Sequence, residues 1–543
     1  MSAEGARPSP LAPLKHRAFA ALWIATVASN VGTWMNDVGA GWLMTTLSPS
    51  PVMVALVQTA TTLPVFLLAL PAGALADIVD RRRLLLVANM GMFAAAAAMT
   101  ALVAAGAMTA WLLLIFTFLL GAGAAFMAPA WQAIVPSLVP RPDLPAAISL
   151  NSVGINISRA IGPALAGVLI TTVGLWSPFL LNTLSFLGII AVLWFWKGEE
   201  RAKGAVPAET LLPAMLAGLR YARHSPALGR VILRAVAFFA FASAYWALLP
   251  LIARDVLAGG SGLYGLLLGA VGAGAVTGAF ALPWLRARLE AERVVLLGAG
   301  GTALSLALMA AVASPAVAVV AALLAGASWI AVLSSFHVAA QGALPNWVRA
   351  RGLSLFLTAF FGAMSAGSLV WGLVAEALGV STALLIAAGG LALATLAVRS
   401  VPLGGGDAAL RNASLHWPAP PVVAPEESGT GPVMVSLDYR VGEAERADFL
   451  ALMQRLRASR LRDGGYGWQL FRVAEEEGLY REVFQVSTWE EHLRQHDRVT
   501  EAERDLQAKI AALTAGGAGA RIRHLLPPGA AGLPAEAPAQ SGA

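Results

Sequence analysis

Residues 19–44 have the sequence FAALWIATVASNVGTWMNDVGAGWLM. A bilayer span takes about 20 mostly apolar residues, and this stretch meets that length. Lys15 and Arg17 precede it, as basic residues precede the apolar core of a signal peptide. However, Asn36 and Asp37 lie within it, and further apolar runs follow at short intervals. The sequence therefore predicts the uncleaved first span of a protein that crosses the membrane several times.

Eleven more apolar runs extend this pattern along the chain. The predicted spans cover approximately residues 18–45, 52–76, 84–106, 111–135, 146–171, 176–196, 231–252, 262–285, 293–313, 316–342, 352–376 and 380–398. Hydrophobic residues make up 58% of the 543 residues and charged residues 13%, against roughly 45–50% and about 25% in soluble domains. These values exclude a soluble multidomain protein and a disordered chain. Cysteine is absent, which excludes a disulfide framework, thiol catalysis and a cysteine metal site.

Basic residues in the loops predict the orientation of the spans. Nineteen Lys and Arg residues fall on the side that holds both termini and the middle loop, whereas Arg254 alone falls on the other side. The positive-inside rule places the richer side in the cytoplasm. Because the basic residues lie between apolar runs, topology explains them better than nucleic-acid binding does, and we expect no nucleic-acid partner.

An internal repeat divides the spans into two groups. The end of span 4, QAIVPSLV (132–139), recurs at the end of span 10 as QGALPNWV (341–348), at an offset of 209. The step from Gly73 to Arg81 recurs as Gly278 to Arg286, at an offset of 205. We therefore predict two six-span halves, 18–196 and 231–399, joined by a cytoplasmic loop at 197–230. Two such repeats around a midplane cavity are typical of secondary transporters.

The spans, the long middle loop and the turn after span 2 together resemble the major facilitator superfamily. Its turn has the pattern Gly-x-x-x-Asp-Arg-x-Gly-Arg-Arg. The sequence GALADIVDRRR (73–83) departs from that pattern at Ile78 and Asp80 and matches it at Gly73, Asp77, Arg81 and Arg82. The resemblance implies that the four matching residues gate transport through charge pairs that form in one conformation and break in the other. From the residues alone, the basic run is equally a topology anchor.

Two further stretches narrow the resemblance. Gly162, Pro163 and Gly167 in span 5 resemble the proline-glycine motif of the superfamily's exporters. Residues 19–44 look like the bacterial branch of secretion-effector and enterobactin-exporter-like proteins. The resemblance covers about residues 15–400, and it implies export of a small amphipathic molecule across the bacterial inner membrane. No ATPase motif is present in the sequence, so we expect an ion gradient to drive transport, with protons as the favoured coupling ion.

Polar and ionisable residues within the spans are candidates for proton coupling and substrate binding, because a charge in hydrocarbon is costly. Asn30, Trp34 and Asp37 lie at i, i+4 and i+7 and share one face of span 1. Asp37 either takes and releases the coupling proton or is solvated near the outer end of the span. Arg159 in span 5 either contacts substrate or the proton relay, or ties its helix to another. We predict no catalytic residue, no cofactor and no metal ligand.

The composition changes after residue 400. Residues 400–432 are rich in Gly, Pro, Ala and Ser, which is typical of a linker. Strands are predicted at 433–441, 466–473, 479–487 and 520–526, and helices at 443–460 and 488–512. This β-α-β-β-α-β order indicates a small ferredoxin-like α+β domain over residues 433–526 on the cytoplasmic side. Residues 1–17 are expected to be a cytoplasmic tail and residues 527–543 a disordered one.

The C-terminal domain resembles the dimeric α/β-barrel family, which includes small cofactor-free monooxygenases. The resemblance implies that two sheets close face to face, so that residues 433–526 form a homodimer. Val435, Trp468 and Val483, or their neighbours, are expected on the open apolar face, and a monomer with a solvated face is the alternative. His492 and His496 lie one helical turn apart, which suits either a metal or a solvated helix face, and no third ligand is evident.

The sequence therefore predicts an all-α polytopic membrane protein with twelve transmembrane helices in two six-helix repeats, plus a small C-terminal α+β domain. The favoured function is secondary active export of a siderophore, drug or secondary metabolite, with protons and the bilayer as the other partners and no enzyme activity. The alternative is a membrane-anchored enzyme or sensor whose active unit is the α+β domain. A polar cavity between the halves would favour transport.

Overall fold

The computed structural model describes residues 11–196, 219–345, 347–403, 414, 417, 432–514 and 520–526. Within these residues, twelve helices are long and apolar enough to cross a membrane. In chain order they are α1 (Arg17–Leu47), α2 (Pro51–Ile78), α3 (Arg81–Ala104), α4 (Ala110–Leu138), α5 (Leu144–Thr172), α6 (Ser177–Phe195), α7 (Pro226–Leu251), α8 (Ser261–Arg286), α9 (Ala291–Ala311), α10 (Pro315–Gly342), α11 (Arg349–Leu378) and α12 (Val380–Ala397). The predicted twelve-span helical architecture is confirmed.

Proline and glycine mark the ends of several spans. Pro51 lies in the first turn of α2, where a backbone N–H would have no intrahelical partner and its loss costs nothing. α11 ends at Leu378, and Gly379 adopts a φ of 85° before α12 begins. Because this left-handed conformation favours glycine, a single residue can join two spans.

The chain divides into two compact units. The first comprises Met1–Glu209, Arg230–Val338 and Ser354–Leu403, and the second comprises Thr210–Gly229, Ala339–Leu353 and Gly404–Ala543. The second unit therefore includes part of the middle loop, the last residues of α10 and the first residues of α11. It extends beyond the predicted domain bounds of 433–526.

Three clusters of buried side chains distinguish the two ends of the first unit. The largest cluster contains side chains of both halves and includes Leu43, Val54, Leu248, Leu267 and Trp371. A second cluster belongs to the first half and includes Phe19, Leu85, Ile134 and Leu193. A third belongs to the second half and includes Leu282, Val294 and Ala331. The shared cluster lies toward the loops at 48–50 and 257–260, and the separate clusters lie toward the opposite ends of the helices.

The C-terminal part forms an antiparallel four-stranded sheet with three helices. Its elements are β1 (Val433–Arg440), α13 (Arg446–Arg462), β2 (Tyr466–Arg472), β3 (Leu479–Val486), α14 (Trp489–Arg498), α15 (Glu501–Ala512) and β4 (Arg521–Leu525). The strand order is β2-β3-β1-β4, which confirms a small α+β fold. The prediction of a single helix at 488–512 is wrong. That helix breaks at Val499, and the N–H of Thr500 at the start of α15 donates to Glu503 Oε2 at 3.0 Å.

The strand register corrects the predicted faces of the sheet. Val435 pairs with Phe484, and both lie in the core that the helices cover. Val435 is 3% exposed, so its expected place on the open face is wrong. Trp468 also packs against this core and was likewise placed on the wrong face. Val483 pairs with Ser436 on the opposite face, as expected.

The open face of the sheet is more polar than predicted. Arg481 Nε donates to Asp438 Oδ1 at 2.6 Å on that face. The guanidinium of Arg523 on β4 lies 3.6 Å from the same carboxylate. Charged groups therefore share this face with apolar side chains such as Val483.

Aromatic and cationic side chains hold the second unit together. The rings of Tyr221 and Trp347 meet edge to face with centroids 5.8 Å apart. Arg462 of α13 lies 5.7 Å from the centre of the Tyr221 ring, and Arg498 of α14 lies 4.4 Å from that of Trp347. The α+β domain is thus packed against residues from the middle loop and from the turn between α10 and α11.

Several predictions concern parts of the chain that lie outside the described residues. They include most of the middle loop at 197–230, nearly all of the linker at 400–432 and the tail at 527–543. Of the middle loop, residues 219–224 are helical.

Candidate functional site

A cavity of about 210 Å³ lies between the two six-helix halves within the first unit. Helices of both halves form its wall. Its polar residues include Asp37, Gln58, Thr61, Thr62, Arg159 and Tyr264, and its aromatic residues include Trp34, Trp246, Trp329, Phe360 and Phe361. A mixed wall of this kind suits a ligand with an apolar body and a few polar groups.

Asp37 and Arg159 provide the charges in the described part of this wall. Both residues are half-buried. The guanidinium carbon of Arg159 lies 5.5 Å from the centroid of the Trp34 ring, a cation–π distance. Its Nε is buried without a hydrogen-bond partner, and Arg159 takes part in no ion pair among the residues that the structure describes. Its hydrogen-bonding capacity is therefore available to a ligand in the cavity.

Gly162 fixes the position of Trp34. A Cβ at Gly162 would lie 2.6 Å from the Trp34 Cβ and 3.0 Å from the Val31 carbonyl oxygen. Only a glycine therefore lets α1 and α5 approach this closely. Because Arg159 lies one turn before Gly162, the same approach brings its guanidinium over the Trp34 ring.

Glycines also bring α5 of the first half against α8 of the second. A Cβ at Gly265 would lie 2.7 Å from the Gly167 Cα and 2.8 Å from the Pro163 carbonyl oxygen. One Cβ at Gly272 would lie 2.7 Å from both the Ala160 Cα and the Arg159 carbonyl oxygen. We call this contact the α5–α8 seam. It places the span-5 motif residues Pro163 and Gly167 where the two halves meet.

Aromatic rings line the cavity across both halves. The ring centroids of Trp34 and Trp246 are 6.5 Å apart, and those of Trp246 and Trp329 are 5.3 Å apart. Such rings present large rigid contact areas that accept ligands of varied shape. The cavity therefore favours amphipathic ligands over strongly hydrated ones.

Sequence reasoning found some of these residues and missed others. Trp34, Asp37 and Arg159 lie together in the wall, whereas Asn30 is not among its lining residues. Tyr264 was missed. A Cβ at Gly41, one turn after Asp37, would lie 2.7 Å from the Tyr264 hydroxyl, so glycine there lets this hydroxyl reach α1. An isolated tyrosine in a glycine-rich span was the available signal.

The turn after α2 ties helices of the first half together. Arg82 donates from Nε to the Leu193 carbonyl at 2.7 Å and from Nη2 to the Trp194 carbonyl at 2.8 Å. It thereby satisfies the free carbonyls at the end of α6. Asp80 caps α3 by accepting from the Arg83 N–H at 2.8 Å. The Asp77 side chain lies outside the described part of the structure, and a Cβ at Gly73 would meet nothing within 4 Å.

The α+β domain contains a buried carboxylate with three donors. Glu482 is fully buried. It accepts from Arg460 Nε at 3.1 Å, from Trp468 Nε1 at 2.8 Å and from the Tyr439 hydroxyl at 2.8 Å. All the partners of this carboxylate are within the domain, and this arrangement is typical of a structural ion pair.

Three histidines of the domain lie close together. His492 and His496 on α14 and His524 on β4 have ligand atoms within 4.8 Å of one another. His492 is 1% exposed, so the solvated helix face is wrong for this residue. Burial beside two other imidazoles lowers the pKa of His492 to about 3.

Sequence comparison identifies relatives of the chain. The profile of a family described as "Transmembrane secretion effector" matches residues 8–530. The staphyloferrin A transporter of Staphylococcus aureus is 27% identical over 261 residues, which are 47% of this chain and 64% of that protein. The multidrug efflux pump Tap of Mycobacterium bovis is 28% identical over 207 residues, 36% of this chain and 49% of that protein. The matches thus span about half to two thirds of these relatives.

Solved structures share the fold of the membrane part at low sequence identity. A POT family transporter in complex with 5-aminolevulinic acid has a TM-score of 0.59 at 12% identity, over 70% of this chain and 95% of that chain. The nucleoside transporter NupG has a TM-score of 0.56 at 14% identity, over 71% and 99%. The family match covers nearly the whole chain, and the fold agrees with it. The chain belongs to the transmembrane secretion effector family of the major facilitator superfamily.

Proposed function

We propose that the protein is a proton-coupled secondary exporter of a small amphipathic molecule such as a siderophore, drug or secondary metabolite. The cavity between the halves is the observation that supports this most. It combines one carboxylate, one guanidinium and an aromatic wall, which are the groups needed to exchange a proton and bind such a ligand. The staphyloferrin A transporter and the multidrug efflux pump among the relatives support the substrate class.

We propose that the chain works by alternating access in the bacterial inner membrane, with both termini in the cytoplasm. The shared cluster joins the halves toward the loops at 48–50 and 257–260. At that end Arg254 also donates to the Thr45 carbonyl, and the Ser50 hydroxyl donates to Glu376 Oε2 at 2.5 Å. The positive-inside rule makes this the outer end, so the arrangement corresponds to an inward-facing state.

The alternative, an enzyme or sensor with a membrane anchor, has less support. An anchor needs no cavity between its helices and no glycines that bring its two halves together. The family and the related structures are transporters. The α+β domain is therefore assigned an accessory role.

The coupling role of Asp37 is tested with purified protein in proteoliposomes under an imposed pH gradient. The ligands are staphyloferrin A and fluorescent amphipathic dyes. Asp37→Asn should abolish uphill transport and leave downhill exchange measurable, because the amide cannot release a proton. Glu290→Gln, which removes an exposed acid outside the cavity, is the matched control and should transport normally. Full gradient-driven transport by Asp37→Asn would eliminate it as the coupling site.

Arg159 is tested in the same assay by conservative substitution. Arg159→Lys keeps the charge but loses the planar fork that lies over Trp34 and donates several hydrogen bonds at fixed angles. We expect weaker substrate binding and slower transport. Wild-type rates and affinities in Arg159→Lys would show that transport needs only a positive charge at this position, or that Arg159 acts only in helix packing.

We extend the proposal to gating by Gly73, Asp77, Arg81 and Arg82. The family pattern of the turn and the ties from Arg82 to the end of α6 support it. In this state the space beside Gly73 is open, as expected at an end where the halves are apart. Asp77→Asn and Arg81→Ala should slow transport without lowering membrane insertion, and normal rates in both would leave only a topology role.

We also propose that protomers pair through residues 433–526. The resemblance to dimeric α/β barrels supports pairing. The ion pair between Arg481 and Asp438 on the open face indicates a smaller apolar contact area than the sequence predicts. Because the chain has no cysteine, Val483→Cys introduces a single thiol on that face. It should form a disulfide-linked dimer in detergent, and Leu450→Cys on the exposed side of α13 should not. A Val483→Cys chain that stays monomeric would rule out pairing of the sheets.

A further inference from the structure

Three imidazoles from two elements of the α+β domain converge on one point. His492 and His496 are four residues apart and share a face of α14. His524 lies on the edge strand β4, opposite Val435 of β1. The rings of His492 and His524 have centroids 4.7 Å apart, and those of His492 and His496 are 4.9 Å apart. The fold, rather than local sequence, therefore supplies the third ring.

The distances between the ring nitrogens suit a tetrahedral metal site. The Nε2 atoms of His492 and His496 are 3.3 Å apart. Two nitrogens bound to Zn²⁺ at about 2.0–2.1 Å in tetrahedral geometry are separated by about 3.3 Å. All three ligand atoms lie within 4.8 Å of one another, so a modest rotation of the His524 side chain would complete the set.

Unpartnered polar atoms also lie on the helix that carries two of the three imidazoles. His492 Nδ1 and both side-chain amide atoms of Gln495 on the same helix are buried and make no hydrogen bond of good geometry. Buried polar atoms without partners are rare in folded proteins. Polar groups at one turn of α14 are therefore available to orient imidazole ligands or a bound water.

The surroundings also fit a metal. The Trp489 ring packs against His492 and His524, with centroids 5.2 and 5.5 Å away, and the Trp417 ring packs against His496 at 4.8 Å. These rings shield the imidazoles, while His496 and His524 remain partly exposed. The nearby cation Arg460 is paired with Glu482 at 3.1 Å, which reduces its repulsion of a second cation.

We propose that His492, His496 and His524 bind one divalent first-row transition-metal ion, with the remaining coordination position open to water. Three imidazole ligands select Zn²⁺, Co²⁺, Ni²⁺ or Cu²⁺ over the oxygen-seeking Mg²⁺ and Ca²⁺. The site lies in the accessory domain, apart from the residues proposed for transport. It therefore does not depend on the transport mechanism.

The test uses the full chain, purified in detergent without a polyhistidine tag and freed of metal by chelation. Calorimetric titration with Zn²⁺ should give one site per chain, and Mg²⁺ should give none. Co²⁺ should produce the visible absorption bands of a low-coordinate nitrogen site, and Zn²⁺ should abolish those bands. Failure of Zn²⁺ to bind, or equal heats with Mg²⁺, would overturn the proposal.

Substitution distinguishes this site from adventitious binding. Loss of a second-shell group alone weakens metal sites 10–100-fold, so His496→Gln and His524→Gln should each weaken Zn²⁺ binding by more than about 100-fold. His224→Gln is the matched control, since His224 bonds the Arg220 carbonyl at 2.9 Å away from the cluster. Hydrogen exchange of β1 and β3 without metal checks that the variants are folded. Wild-type affinity in either folded variant would overturn the proposal.

Discussion

Glu482 is the residue of the α+β domain that depends most on its hydrogen-bonding partners. Its carboxylate is fully buried and surrounded by Arg460, Trp468 and Tyr439 as donors. A buried ion pair contributes little net stability compared with apolar residues, but the loss of one partner leaves the other charged and unpaired. The residue is therefore much less tolerant of change than its neighbours on β3.

Glu482→Gln is expected to destabilise the domain by about 3 kcal/mol, because the Arg460 guanidinium would remain buried without its counter-charge. The measurement is hydrogen exchange of β1 and β3 in the full chain, where opening should rise by about 150-fold. Glu476→Gln breaks an exposed pair with Arg440 and should cost less than 1 kcal/mol. Similar exchange in the two variants would contradict the structural role of Glu482.

At the residue scale, helical spacing predicted only two of the residues that line the candidate cavity. Trp34 and Asp37 were identified because they share a face and because polar groups are costly in a membrane span. Asn30 shares that face but lies a turn or more away, since one face of a 31-residue helix extends beyond the cavity. Tyr264 and Trp246 could not be found this way, because their approach depends on the packing of one half against the other.

The α5–α8 seam is the element contact most sensitive to side-chain size. The nearest atoms to a Cβ at Gly265 belong to backbone, at 2.7 and 2.8 Å. Backbone cannot rotate aside as a side chain can, so the helices themselves would have to separate. Small residues at such positions let transmembrane helices approach closely.

Gly265→Ala should therefore destabilise the membrane part by about 1–3 kcal/mol, the usual cost of overpacking. Thermal unfolding in detergent and the transport rate measure the effect. Gly300→Ala in α9 is the matched control, because a Cβ there meets nothing within 4 Å. Equal melting temperatures for the two variants would mean that the seam does not depend on glycine.

Among the elements, spans were easier to predict than strand faces. A span is identified by about 20 apolar residues, and an error of two residues at either end does not change its assignment as a span. Successive side chains of a strand point to opposite faces of the sheet, so a shift of one residue moves every side chain to the other face. Val435 was misplaced for that reason. The break between α14 and α15 had a local signal, since Thr500 and Glu503 have the spacing of a capping box.

At the scale of the whole molecule, the position of the shared cluster predicts which end is closed. The Ser50 hydroxyl before α2 donates to Glu376 Oε2 on α11 at 2.5 Å, so cysteines at these two positions lie within reach of a short bifunctional thiol reagent. In this cysteine-free chain, Ser50→Cys with Glu376→Cys should cross-link with that reagent and arrest transport. A protease site inserted in the loop at 197–218 allows detection, because only linked halves stay together on a gel.

Either single-cysteine variant serves as the control and should separate into two halves after cleavage. Absence of the link in the double variant would show that this end of the bundle is open in the membrane. The sequence could not predict the closed end. One chain must form both states of a transporter, which differ by only a few kcal/mol, so the pattern of apolar residues is compatible with each.

The cavity wall holds one carboxylate and one guanidinium, which has a consequence for the response to membrane voltage. If Asp37 carries the coupling proton as proposed, its charge offsets that of Arg159 when it is ionised, and the empty cavity retains one positive charge when it is protonated. Reorientation of the protonated form then moves charge through the electric field, worth about 2.3 kcal/mol per elementary charge per 100 mV. Reorientation of the ionised form moves none. An inside-negative potential would therefore accelerate the protonated, empty carrier toward the cytoplasm and would leave the return of the ionised carrier with an uncharged substrate unaffected.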